Sequence, residues 1–164
     1  MFVQTGAPVR AGVRLGVDPG SVRIGIARCD PAGILASPLT TVRRGKGDRR
    51  QIAALVRDEE AVEVIVGLPT SLSGKETAAA GVARDFARSL AARLAPVPVR
   101  LVDERFTTAT AHEALRAGGR DSKARREVVD AAAAAVLLQS ALDAERASGR
   151  PPGELVDPSE GTSA

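Results

Sequence analysis

Residues 16–27, with the sequence GVDPGSVRIGIA, constrain the fold more than any other stretch. Two apolar runs flank Asp18-Pro19-Gly20-Ser21, whose residues favour turns, so the stretch predicts a β-hairpin with Asp18 near its tip. A tight turn of small residues allows a metal ion or a phosphate to approach the carboxylate closely. The turn could equally be structural, with the Asp18 side chain bonded to its own backbone.

Five strands are predicted, and their order indicates a mixed sheet. Short turns join the first three into an antiparallel meander, in which Pro38 favours an edge position for the third. The fourth is a continuous apolar run, VEVIVGLP, which is typical of a central parallel strand buried on both faces. The fifth ends in Asp103 and Glu104, at the end of the strand where open α/β sheets bind ligands. The predicted strands are residues 13–18, 22–29, 34–43, 62–69 and 97–102.

Helices are predicted between and after the later strands, which indicates an α/β fold with helices flanking the sheet. Asp48 is placed to cap the first helix. The second repeats an apolar residue every four positions from Val82 to Leu94, a spacing typical of a core-facing stripe. The predicted helices are residues 49–60, 76–94, 107–117 and 125–147.

The length of 164 residues predicts one domain. Residues 1–12 have no periodicity and are expected to form a flexible N-terminal lead. Residues 13–148 are expected to form the domain itself. Gly149 and the prolines that follow it indicate the end of ordered structure, so residues 149–164 are expected to form a flexible acidic tail.

Composition narrows the possible partners. The formal net charge is +3, and the three acids of the tail leave +6 on residues 1–150, which suits a polyanion such as nucleic acid. The chain has no Trp or Tyr and only three Phe, which excludes an array of base-stacking aromatic residues. A single cysteine, Cys29, fits a reducing cytosol, and no stretch resembles a secretory signal or a membrane span. We therefore expect a cytoplasmic protein without a membrane partner.

Asp130 is an acid on a helix face that should pack on the sheet. It shares that face with Ala134, Leu137 and Ala141, at spacings that match the helical period. Because burial of an unpaired charge is costly, the carboxylate should have a cationic partner. That partner could be a metal ion or an arginine.

Asp18, Asp130 and one acid of the pair Asp103 and Glu104 could converge on one point. Three carboxylates suit magnesium or manganese, and two such ions can activate water for phosphodiester hydrolysis. Neighbouring residues of a strand alternate faces, so only one of the pair should enter the site, and spacing alone does not choose between them. The one histidine, His112, lacks a metal-ligand partner four residues on and is expected at the surface.

Basic residues near these acids are candidate phosphate contacts. The connections at 43–50 (RRGKGDRR) and 120–126 (RDSKARR) are rich in lysine and arginine, although such loops are usually only solvated. The individual candidates are Lys75, Arg105, Lys123 and Arg126.

Four segments, GVDPGSVRIGIA, VEVIVGLP, VDERFTT and VVDAAAAAVLLQ, occur in this order. Together they resemble the YqgF/RuvX family of small bacterial ribonuclease H-like nucleases over about residues 13–145. The resemblance implies a ribonuclease H-like fold. Family members are described as nucleases of pre-16S rRNA and, in some cases, as Holliday junction resolvases.

The resemblance also implies roles for individual residues. It assigns metal binding and catalysis to Asp18, Glu104 and Asp130, with two Mg²⁺ or Mn²⁺ ions as the expected cofactor. It favours Glu104 over Asp103 by analogy. Arg23 matches the family's arginine after the first acid, which implies a phosphate contact or a brace for the loop.

Three classes of function are compatible with these features. The favoured one is a metal-dependent endonuclease that processes the 5′ end of pre-16S rRNA, with a Holliday junction resolvase as the alternative. Symmetric junction cleavage would require a homodimer, and the sequence does not distinguish a monomer from a homodimer. A second class is an ATP-handling protein with an Asp-x-Gly hairpin, which would need two such domains. The third is a nucleic-acid-binding ribosome assembly factor without catalysis.

Overall fold

The computed structural model describes residues 9–71, 73, 75–104 and 123–158, with side chains of the last helix described from residue 126. These ranges contain six strands and three helices. The strands are β1 (Arg14–Pro19), β2 (Arg23–Cys29), β3 (Ala36–Arg43), β4 (Glu63–Leu68), β5 (Val99–Asp103) and β6 (Glu154–Leu155). The helices are α1 (Asp48–Asp58), α2 (Ala78–Leu94) and α3 (Lys123–Ser148).

The strands form one mixed sheet in the order β3-β2-β1-β4-β5-β6. The first three are antiparallel, and β4 lies between β1 and β5 and is parallel to both. All six residues of β4 are buried, as its continuous apolar sequence predicts. The predicted meander followed by parallel strands is therefore confirmed, and β3, which contains Pro38, is an edge strand.

The sheet has six strands rather than the predicted five, because β6 pairs antiparallel with β5. Gly149 and Gly153 have positive φ values of 72° and 67°, a conformation that lets the chain turn back after α3. Val156 is then buried, and its N–H donates to the Val99 carbonyl at 2.9 Å. Part of the segment 149–164, expected to be a flexible tail, thus belongs to the sheet.

Side chains alternate between two layers on the faces of the sheet. Leu15 and Val17 of β1 point into the larger core, which α1 and α2 cover. Gly16 points to the opposite face, where a Cβ would collide with α3. Residues two positions apart in a strand share a face, so Asp18 also lies on the α3 face.

Two details of the helices differ from the prediction. Asp48 is the first residue of α1 and not its cap; Gly47 is the cap, and the Asp48 carboxylate accepts a hydrogen bond from the Gly45 N–H at 3.1 Å. Val82 is 54% exposed because the buried face of α2 follows small residues such as Ala80 and Ala83, which allow close packing. The helix predicted at 107–117 lies outside the described residues.

Buried ion pairs join α3 to the sheet at the end opposite Asp18. Glu63 of β4 accepts hydrogen bonds from Arg10 and Arg100 at 2.9 and 3.0 Å. Glu145 of α3 accepts from Arg10 at 2.6 Å and lies 3.7 Å from Arg14. Arg10, which the sequence assigned to a flexible lead, is thus held by two buried carboxylates.

None of the helices in the described ranges combines the length and the hydropathy needed to cross a bilayer.

Candidate active site

Two predicted acids meet at the carboxyl end of the central strand. Asp18 is near the end of β1, and Glu104 directly follows β5. Because β1, β4 and β5 are parallel, these strands deliver both acids to the same edge of the sheet. Glu104 crosses over Gly67 of β4 so closely that a Cβ at this position would collide with its carboxyl group. The glycine therefore makes room for the acid.

The carboxyl group of Glu104 is hydrogen-bonded to that of Asp18. Burial, the hydrogen bond to Asp18 and the nearby charges of Asp18 and Asp103 raise the pKa of Glu104 from its usual 4.5 to about 9. At neutral pH this glutamic acid is therefore protonated, and it shares its proton with a neighbouring carboxylate. A cation placed between the two groups would displace that proton.

Asp103 lies on the other face of the sheet. It pairs with Leu68 of β4, whose side chain belongs to the core under α1 and α2. The Thr70 hydroxyl donates to Asp103 Oδ1 at 2.5 Å. Strand alternation thus brings Glu104, and not Asp103, to the side of Asp18, which is the choice that spacing alone left open.

Asp130 approaches the same region from α3 but does not reach the two other acids. The helix packs so tightly on Gly25 of β2 that a Cβ there would collide with the Asp130 carbonyl group. Gly25 is the cross-strand partner of Asp18, so all three acids lie on one face of the sheet. The Asp130 side chain, however, accepts a 2.8 Å hydrogen bond from Arg23 Nε. An arginine is thus one partner of this carboxylate, as the sequence predicts.

The carboxyl oxygens of Asp18 and Glu104 are suitable ligands for a hard divalent cation. Their adjacent carboxyl oxygens are the ligand type that Mg²⁺ and Mn²⁺ prefer, and the raised pKa of Glu104, caused first by burial and then by the neighbouring acids, shows that the protein itself does not compensate a charge there. Within the described ranges, no group of three or more His, Cys, Asp or Glu side chains is close enough to hold a metal ion. Asp130 could join the pair by turning its carboxylate toward them, and Arg23 occupies one of its two oxygens, Oδ2.

A basic cleft extends from Asp130 along the hairpin. We use this name for a cavity of about 470 Å³ lined by Val22, Arg23, Thr41, Arg43, Arg126 and Glu127. It brings together three guanidinium groups from β2, β3 and the first turns of α3. Sequence reasoning named Arg23 and Arg126 individually but placed Arg43 only within a basic connection.

A second cleft lies on the other side of the β1–β2 turn. This apolar cleft has a volume of about 410 Å³ and is lined by Pro19, Gly20, Ser21, Arg44, Pro69, Ala79, Val82 and Ala83. The Arg44 guanidinium group donates to the Gly20 carbonyl at 3.1 Å and lies 5.1 Å from the centre of the Phe86 ring. Sequence reasoning missed this cleft because its lining comes from four separate segments without a shared motif.

The structure describes only one of the remaining predicted phosphate contacts with its side chain. Lys75 is exposed in the loop before α2, where its backbone pairs with that of Ser71. Arg105, His112 and the side chain of Lys123 lie outside the described residues.

Comparisons with known proteins agree on one family and one fold. A family model described as "RuvX: Holliday junction resolvase" matches residues 12–144. A protein of Thermobifida fusca named "Putative pre-16S rRNA nuclease" is 62% identical over 156 residues, which cover 91% of this chain and 98% of that protein. A protein of the same name from a Nocardioides species is 58% identical over 154 residues, covering 91% and 99% of the two chains.

Among solved structures, Thermus thermophilus RuvC in complex with a Holliday junction substrate is similar, with a TM-score of 0.51 at 17% sequence identity. The match covers 82% of this chain and 95% of that chain. At this level of identity the likeness concerns the fold alone. It confirms the expected ribonuclease H-like architecture.

Proposed function

This chain belongs to the RuvX family of nucleases, and from that premise we propose that it is a divalent-metal-dependent endonuclease that hydrolyses phosphodiester bonds. The observation that carries the proposal is the hydrogen-bonded pair of Asp18 and Glu104. Two adjacent carboxyl groups at the edge of a sheet cost stability through burial and mutual repulsion. Such a loss of stability is expected where the two groups bind a metal cation.

Asp18 and Glu104 are the residues we propose as metal ligands and catalytic residues, with Asp130 as the third. When bound, one or two Mg²⁺ or Mn²⁺ ions would supply a water of lowered pKa and a positive charge at the reacting phosphate. Glu104 would hold the ion in its deprotonated form, and Asp130 would offer it a carboxylate oxygen, with Arg23 hydrogen-bonded to Oδ2 in the absence of the ion. The Arg23 guanidinium group would then be available to a substrate phosphate.

The basic cleft is the proposed path of the substrate backbone on one side of the acids. Arg23, Arg43 and Arg126 line it, and guanidinium groups bind phosphate oxygens well. Lys75, Arg105 and Lys123 are proposed as further phosphate contacts on the basis of the sequence alone. These contacts would position the backbone without reading its sequence.

Precursor 16S rRNA is the substrate we propose, with cleavage near its 5′ end during ribosome biogenesis in the cytoplasm. The support for this choice is the name of the relatives that are 62% and 58% identical over nearly their full length. A Holliday junction is the second candidate, on the description of the family model, and its symmetric cleavage would require a homodimer. A binding factor without catalysis is the remaining alternative.

The test compares a precursor 16S 5′ end and a four-way DNA junction as substrates, with Mg²⁺, with Mn²⁺ and with a chelator. We expect metal-dependent cleavage of the RNA that is lost in Asp18→Asn. Asp85→Asn is the matched control because Asp85 is a largely exposed acid of α2, with 79% of its side chain accessible. Preferential junction cleavage by a species that sizes as a dimer would favour the resolvase. Cleavage that persists in Asp18→Asn would contradict the proposed site, and metal-independent binding without cleavage would favour the assembly factor.

A further inference from the structure

The β1–β2 turn separates two clefts of different chemistry. The basic cleft has three arginines, whereas the apolar cleft has a single cationic side chain, that of Arg44. Most of the apolar cleft is formed by proline, alanine and valine side chains from the turn, the exit of β4 and the start of α2. The two clefts flank the turn that follows Asp18 on opposite faces of the sheet, since Pro19 and α2 residues line one, while the other is lined by Arg23, which is bonded to Asp130 of α3.

The one cationic side chain of the apolar cleft is held in place by contacts within the protein. Arg44 is held by its hydrogen bond to the Gly20 carbonyl and by its contact with the buried Phe86 ring. A fixed guanidinium group loses little conformational entropy on binding. Val82, by contrast, is 54% exposed, although it is a large apolar residue. The cleft therefore presents an exposed apolar surface, with its one cation already held in place, at the turn that follows Asp18.

On the basis of the proposed function, we propose that the apolar cleft receives an unpaired nucleobase of the strand that is cut, adjacent to the scissile phosphate. The volume of about 410 Å³ is within the range typical of sites for small organic groups. Unpaired bases bind to proteins by stacking on guanidinium planes and by packing between apolar side chains. A base held in this cleft cannot be part of a helix, so the substrate must be single-stranded at this position.

The contrast with the basic cleft supports a base and not a phosphate as the occupant. A phosphate backbone favours several cationic groups, as the basic cleft provides. Among the side chains that line the apolar cleft, only Ser21 and Arg44 can donate hydrogen bonds. One N–H group of Arg44 already donates to the Gly20 carbonyl. The substrate strand would thus cross the β1–β2 turn with its backbone on one side and one base on the other.

Binding to abasic RNA tests this proposal without requiring catalysis. The probe is an RNA duplex that ends in an unpaired strand, together with the same RNA carrying one abasic nucleotide at each unpaired position in turn. Affinity is measured by fluorescence anisotropy in the presence of a chelator. We expect one abasic position to weaken binding by about tenfold, since stacking of a single base has an effect of this size.

Val82→Trp should abolish this sensitivity, because the larger side chain fills the cleft. Its affinity for the intact RNA should then equal its affinity for the abasic RNA. Ile34→Trp is the matched control, because Ile34 is 62% exposed in the turn at the opposite end of β2. It should retain the sensitivity of the unaltered protein. Thermal melts of both variants identify any loss of folding.

Two results would overturn the proposal. One is an unaltered protein that binds every abasic RNA as tightly as the intact RNA. The other is a folded Val82→Trp variant that remains sensitive to the abasic position, because the base would then bind elsewhere. Neither result depends on cleavage, so failure here is distinct from failure of Asp18→Asn to abolish cleavage, which would contradict the nuclease function itself.

Discussion

Arg23 Nε donates a 2.8 Å hydrogen bond to Asp130 Oδ2, so the arginine after the β1–β2 turn is bound to the acid of α3. Both side chains are partly buried, with 18% and 34% of their areas exposed. The pairing compensates the charge of Asp130 in the protein without metal. It also means that Arg23 and a metal ion at the proposed site would draw on the same carboxylate.

We predict that Arg23→Gln binds Mn²⁺ more tightly than the unaltered protein but binds RNA more weakly. Removal of the guanidinium group would leave both oxygens of Asp130 to the ion and would delete the proposed phosphate contact. Isothermal titration with Mn²⁺ and anisotropy with RNA measure the two effects. Arg28→Gln is the control, since Arg28 forms an equally short pair with Glu59 outside the site. Weaker Mn²⁺ binding in Arg23→Gln would indicate that the arginine supports the metal site.

The stability of the metal-free protein should fall as pH rises. The pKa of Glu104 is about 9 in the folded protein and 4.5 otherwise, so the folded state binds the extra proton between these values. The resulting stabilisation is complete below about pH 4.5 and is lost as the pH rises through 9, with a slope of at most about 1.4 kcal/mol per pH unit. Urea denaturation in chelator across this range measures it.

Glu104→Gln provides the control for this pH dependence. The amide keeps a neutral hydrogen-bonding group beside Asp18 but does not titrate. Its free energy of unfolding should therefore vary less between pH 5 and 9 than that of the unaltered protein. Equal slopes for the two proteins would contradict the assignment of the raised pKa to Glu104.

Gly67→Ala should abolish cleavage while leaving the protein folded. A Cβ at this position collides with the Glu104 carboxyl group, which would have to leave Asp18. Gly81→Ala is the matched control, because a Cβ there meets nothing within 4 Å, and an alanine inside α2 should raise stability by roughly 0.5–1 kcal/mol. Cleavage assays and thermal melts distinguish loss of the site from loss of the fold. Normal cleavage by Gly67→Ala would argue against a catalytic Glu104.

The basic cleft predicts a specific salt dependence of RNA binding. Arg43→Gln and Arg126→Gln should each reduce the slope of log affinity against log salt concentration by about one, as expected for the loss of one phosphate contact. Arg57→Gln, with 77% of the arginine side chain exposed on α1, should leave the slope unchanged. If none of the three substitutions changed the slope, the RNA backbone would have to bind outside the basic cleft.

The parts of the fold that were predictable have strong periodic patterns. The hairpin around Asp18 and the apolar run of β4 identified the two strands at the centre of the sheet. The two-residue strand β6 could not be predicted, because Glu154–Leu155 is too short to show a period and follows residues typical of a chain end. Its pairing depends on positive φ at Gly153, a property of the assembled chain.

The candidate site was predictable in its residue types but not in its contacts. Alternation predicted that Asp103 and Glu104 face opposite ways, yet only the position of Gly67 beneath Glu104 shows which one lies beside Asp18. The Arg23 pair of Asp130 was one of two partners that charge burial permitted. The position of Glu104 and the partner of Asp130 both depend on contacts between distant segments. No local sequence pattern encodes such contacts.

The ion pairs of Arg10 limit how far the polypeptide can be trimmed for crystallisation or fusion to another protein. A version that starts at residue 13 follows the boundary expected from the sequence but removes the cation that joins Glu63 to Glu145. Glu145, almost fully buried, would keep its pair with Arg14 at 3.7 Å but lose the shorter one, and α3 would lose an ion-pair link to the central strand. Because α3 also carries Asp130, trimming at one end of the molecule removes contacts of the helix that positions an acid at the other end.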